Sequence, residues 1–197
     1  MTYAMKPLVC DPAKFKGLSE KLIVSHYENN YGGAVKRLNA ITEQLQALDF
    51  STAPVFTING LKREELIASN SMILHELYFA GLGEGGAPAG ALKDALIRDF
   101  GNLERWQVEF SFMGKAQGGV SGWVLLTYSP RDRKLVNQWA ADHTCNLAGA
   151  TPILTLDMYE HSYHMDYGAK AAAYVDASMN NINWANAARL FEAAAAR

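Results

Sequence analysis

LTLDMYEHSYHMDYG (Leu154–Gly168) sets Asp157, Glu160, His161, His164 and Asp166 within ten residues, among apolar and aromatic neighbours. Ionisable groups cost free energy wherever they leave water unpaired. A half-buried segment with so many of them has something for them to hold, and a metal ion is one answer. The run TPILTLDMY that leads into it reads as a strand. Two earlier runs, VSGWVLLTYSP and RDRKLVNQWAADH, are also strand-like and meet at a polar turn after Ser129–Pro130. A short turn between strands favours antiparallel pairing. Together the three runs predict a small antiparallel sheet whose last strand delivers Asp157.

Around this sheet the pattern is helical. ALKDALIRDF and NLERWQVEFSFMGKAQG precede it, and GAKAAAYVDASM and NWANAARLFEAAAAR follow it. Near the start, GLSEKLIVSHYENN opens a helix with Ser19 as N-cap. Gly32 and Gly33 interrupt it, and Val35, Leu38, Ile41, Leu45 and Leu48 then recur at helical spacing. Two helices with a short break predict an antiparallel hairpin or one kinked helix. After the turn-rich STAPVFTING, Met72, His75, Phe79 and Leu82 share one face of a further helix. The glycine-rich GLGEGGAPAG (81–90) is the linker. The fold class is therefore α+β: an N-terminal helical hairpin domain over residues 1–86, then an α/β domain over 87–197 with a small three-stranded antiparallel sheet.

Composition narrows the function classes. Of 197 residues, 49% are hydrophobic and 19% charged, which describes a chain that builds a real core. A net charge of −2 gives no basic face for nucleic acid. No apolar run is long enough to span a membrane, and MTYAMKPLVC has no apolar signal region, so a cytoplasmic protein is expected. Cys10 and Cys145 stand far apart and match neither a disulfide framework nor a zinc pattern.

Five histidines remain, at 26, 75, 143, 161 and 164. His26 or His75 alone reads as a hydrogen-bonded core residue, and Asp157 alone as a turn former at a strand end. As a set they read differently. Two separate helices each turn one imidazole inward, a strand ends on a carboxylate, and another imidazole follows four residues later. Three neutral imidazoles and one carboxylate suit a first-row transition metal such as iron or manganese.

The chain resembles the iron/manganese superoxide dismutase family over nearly its whole length. SHYENNYGGAVKRLN and NSMILHELYFAGL resemble the family's first two ligand helices, and ATPILTLDMYEHSYHMDY resembles its Asp-x-Trp-Glu-His signature. GGVSGWVLL falls where the family has its Gly-x-Gly-Trp strand, and FGNLERWQVEF and NINW are weaker matches. The resemblance implies His26, His75, Asp157 and His161 as metal ligands and Trp123 as a wall of the pocket. It implies superoxide as substrate, disproportionated to dioxygen and hydrogen peroxide at a mononuclear centre, with iron favoured over manganese. It also implies a homodimer in which Glu160 reaches His161 of the partner subunit. In the family the metal-bound solvent is hydrogen-bonded by a Gln from either of two positions, or by a His at the later one; the resemblance puts Ser71, which is too short, at the earlier position and His143, the expected residue, at the later.

The departures gather at the expected substrate entrance. The family's usual Tyr is Ala34, its His is Asn30, and its second Tyr after the last ligand is His164. Tyr159 and Phe79 replace tryptophans. Asn30 of one subunit is expected to meet His164 of the other, exchanging the sides of the family's gate. Tyr31, one turn before Ala34, is expected to offer a phenol to the vacated space. A wider entrance leaves a second reading open, a dismutase-like metalloprotein with reduced or different redox chemistry. A fold kept only as a binding module is disfavoured, because all four ligand positions are filled.

Overall fold

The computed structural model describes residues 2–196. Ser19 caps the first helix as expected, its hydroxyl accepting the Leu22 N–H at 3.1 Å. Asp166 accepts both the Ser19 N–H and its hydroxyl, at 2.7 Å each, so this acid supports a helix cap. From there α1 (Glu20–Ser25), a π-helical segment (His26–Tyr31) and α2 (Gly32–Ala47) run on without a break. This corrects the expected interruption at Gly32 and Gly33. Gly32 is helical (φ −61°, ψ −35°), and a Cβ there would lie 3.1 Å from the Met5 sulfur. That glycine answers a packing demand. The wider turn comes before it, at His26–Tyr31, and such π segments are frequent at functional sites. α3 (Val55–Gly81) packs back along α2 and completes the hairpin.

α4 (Gly90–Phe100) and α5 (Leu103–Ala116) lead into β1 (Trp123–Ser129), β2 (Lys134–Ala140) and β3 (Thr151–Asp157). The sheet order is β2-β1-β3, antiparallel throughout. Every residue of β1 is buried, and each fully buried large apolar side chain contributes about 1.5–3 kcal/mol. That is ample reason for the strand to sit at the centre. The short α6 (His164–Tyr167), then α7 (Ala171–Met179) and α8 (Trp184–Ala195), close the chain. Leu82 and Ile182 form an isolated bridge, so the glycine-rich segment is sewn to the loop before α8. No helix among the described residues is long and apolar enough to cross a membrane.

Candidate metal centre

The register of the sheet prepares the site. Trp123, first in β1, pairs with Asp157, last in β3, so both stand at the same end. Gly122 (φ +146°) makes the approach to that end; a Cβ there would fall 2.3 Å from the Ala140 carbonyl oxygen. Past β3 the chain turns tightly. The Tyr159 N–H donates to Asp157 Oδ1 at 2.9 Å, and Tyr174 and Ser162 hydroxyls donate to the Asp157 carbonyl at 2.8 Å each. Those contacts fix the carboxylate and leave Oδ2 facing inward.

Around Oδ2 the three imidazoles converge. His161 Nε2 lies 3.1 Å away, His26 Nε2 3.2 Å and His75 Nε2 3.6 Å. One ligand atom from each of the four residues lies within 4.8 Å of all the others. His26, His75 and Asp157 are buried and His161 is half-buried. His75 is orientated from behind, its Nδ1–H donating to the Ser71 carbonyl at 2.7 Å, which leaves the Nε2 lone pair free. The Nε2 atoms of His26 and His75 are buried without any hydrogen-bond partner. Buried polar atoms are seldom left so, and a bound cation would satisfy them. The spacing fits as well: bonds of about 2.0–2.2 Å, as for first-row divalent ions, at right angles to about 120° put two donors about 3.0–3.6 Å apart.

Electrostatics agree with the donor chemistry. Burial, with His26 as a like-charged neighbour, pushes the His75 imidazole down to about 3. Burial likewise lowers His26, against the pull of Asp157. Burial alone would raise the Asp157 carboxyl, but His161 and His26 outweigh it and hold it well below the usual carboxylate range. His26 and His75 thus offer neutral imidazoles and Asp157 an ionised carboxylate, the forms in which these residues bind metal.

The other predicted site residues sort into three groups. Trp123 is fully buried and meets the His75 ring edge-on at 5.3 Å. His143 comes to 6.1 Å from that ring, stacks on Tyr159 at 4.7 Å, and lines a surface opening of about 360 Å³ with Asn29, Asn30, Ala34, Arg37 and Ser71. Asn30 and His164 both line a second concavity with Ser25, Glu160, His161 and Met165. Tyr31 is the correction. Its hydroxyl accepts the Lys6 N–H at 2.8 Å and donates to Glu76 at 3.2 Å, and it does not line the opening. The phenol is spent on holding the N-terminal arm to the hairpin, beside Tyr27, whose hydroxyl donates to the Lys6 carbonyl. Asn70, which the sequence did not single out, donates its amide to the His143 carbonyl at 2.6 Å.

Fold and site together place a candidate metal centre of three histidines and one aspartate at the meeting of a helical hairpin and a small sheet. Residues 88–190 match the family described as iron/manganese superoxide dismutases, C-terminal domain. The chain is 75% identical to a superoxide dismutase [Fe] of Cupriavidus metallidurans over 194 residues, 98% of each chain. It is 35% identical to a superoxide dismutase [Fe] of Aquifex aeolicus over 181 residues, 88% of this chain and 84% of the relative. A superoxide dismutase [Mn] 1 of Halobacterium salinarum is 33% identical over 199 residues, 99% of this chain and 98% of the relative. The chain belongs to the iron/manganese superoxide dismutase family.

Proposed function

We propose that this chain disproportionates superoxide, two superoxide anions and two protons giving dioxygen and hydrogen peroxide, with His26, His75, Asp157 and His161 holding one iron ion. The observation that carries the reading is the buried convergence of three imidazole nitrogens on one carboxylate oxygen, two of them with no partner. Iron is favoured over manganese because the relative at 75% identity is named an iron enzyme. Bound there, the ion supplies the one-electron couple that the disproportionation requires. The protein's part is charge, access and protons. Asp157 brings a single negative charge to the centre, so a site holding a multivalent cation remains attractive to a small anion. The opening beside Ala34 and Ser71 admits that anion past the Arg37 side chain. His143, held neutral by burial, presents a hydrogen-bond donor at the inner end of the path.

The functional unit we propose is a cytoplasmic homodimer. His161 keeps a quarter of its side chain exposed, in a concavity with exposed Glu160, His164 and Met165. A second copy covering it would bring Glu160 to the partner's imidazole and Asn30 toward the partner's His164 position. Metal analysis of the purified protein, followed by dismutase assays of iron- and manganese-reconstituted forms, tests the activity. Sedimentation of the wild type against Glu160→Ala tests the dimer. A metal-loaded protein with no superoxide turnover would overturn the reading.

A further inference from the structure

His143 stands on a segment with little of its own to hold it. Residues 141–150 form no helix or strand. Their internal bonds are local: Asp142 accepts the Thr144 N–H and hydroxyl at 2.6 Å each, and the Cys145 N–H donates to the Asp142 carbonyl. Two restraints on the His143 ring come from the sheet side of the molecule, the Trp123 indole N–H and the face of Tyr159. One restraint comes from the hairpin side. It is the Asn70 amide on the His143 carbonyl, at 2.6 Å and half-buried. Asn70 lies on α3 five residues before His75, so a single helix carries both a proposed ligand and this clamp.

From this geometry we infer that Asn70 is a positioning residue: it ties the His143 turn to the helix that carries His75 and so fixes how far the His143 donor stands from the centre. The inference rests on the proposed metal site and adds to it a residue that touches neither substrate nor ion. Trp123 and Tyr159 alone hold His143 relative to Asp157 and His161. With the Asn70 link, the imidazole is also held relative to the two hairpin histidines. Hydrogen bonds behind a metal's ligands and its bound solvent tune the centre, and losing one typically costs about 10–100-fold in activity or affinity.

The test is a double-mutant cycle on the iron-loaded full-length chain, comparing wild type, Asn70→Ala, His143→Ala and the double variant. The readouts are the midpoint potential and visible spectrum of the iron, and hydrogen exchange across 141–146 by mass spectrometry. Asn70→Ala is expected to speed exchange in that segment, shift the potential, and lower kcat about tenfold. In the His143→Ala background it should shift the potential no further, because its effect runs through that imidazole. Additive shifts, or an Asn70→Ala protein with wild-type potential and spectrum, would overturn the inference. Absence of superoxide turnover in the wild type would instead sink the proposed function and leave the potential comparison readable.

Discussion

Trp123 donates its indole N–H to Nδ1 of His143 at 3.0 Å. An indole nitrogen can only donate, so Nδ1 must be the accepting atom and the proton of the neutral imidazole sits on Nε2. The tryptophan therefore chooses the tautomer of this imidazole. Trp123→Phe keeps a large aromatic ring but frees both tautomers. Turnover should fall about 10–100-fold, and a chemical denaturation curve should show a loss of only about 1–3 kcal/mol. Equal turnover in the two proteins would show that the tautomer lock has no catalytic role.

The opening beside His143 is floored by small side chains, Gly33, Ala34, Ala68 and Ser71. Ala34→Tyr would place a phenol into a space of about 360 Å³. Inhibition constants for acetate and chloride, measured on both forms, check what that space admits. Acetate should lose several-fold more affinity than chloride in the variant. A parallel change for both anions would mean that Ala34 does not set the size limit.

Tyr31 supplies the opposite kind of test. Its hydroxyl serves the N-terminal arm, and burial pushes its phenol up to about 12, so it stays protonated. Tyr31→Phe should lower stability by about 1–3 kcal/mol, since the half-buried Lys6 N–H loses its acceptor. The iron spectrum and kcat should stay within about twofold of wild type. A large spectral change would return the phenol to the metal centre.

Acid should unfold the metal-free protein early. His75 and His26 are held neutral in the fold, with imidazoles depressed below the ordinary value. Between the folded and unfolded values the unfolded chain binds more protons, so stability rises with pH there. It is complete above about pH 6.5–7 and is lost as the pH falls below that. At pH 5 His75, with its imidazole down at about 3, costs about 2 kcal/mol relative to pH 7.5, and His26 acts in the same direction. Urea midpoints of the metal-free chain at the two pH values measure this. Because the ion binds the same neutral nitrogens, metal-loaded protein should resist until acid displaces the ion. A metal-free midpoint that does not move with pH would contradict the buried, neutral assignment.

How much of this could be read beforehand depended on the range over which each signal acts. Helix periodicity and the Ser19 cap are local, and both appear in the fold. Asp157 and His161 lie four residues apart, so their meeting was legible from the turn that joins them. His26 and His75 reach the same point from distant helices. Spacing alone left their role open, and the family resemblance supplied the rest. The Gly32–Gly33 pair misled because glycine signals both a break and a close approach, and Met5, which decides between them, lies far away in sequence. Tyr31 misled for a related reason: the helical period gives its position on the helix, while its hydroxyl follows Lys6 and Glu76. The Asn70 link joins residues 73 positions apart, and no local pattern marks it.

The central claim is that four side chains share one ion, and anomalous diffraction from crystals of the iron-loaded protein at the iron edge tests it most directly. A single peak about 2.0–2.2 Å from Nε2 of His26, His75 and His161 and from Oδ2 of Asp157 is the predicted result. Iron found elsewhere on the chain, or a density that touches fewer than these four atoms, would contradict it.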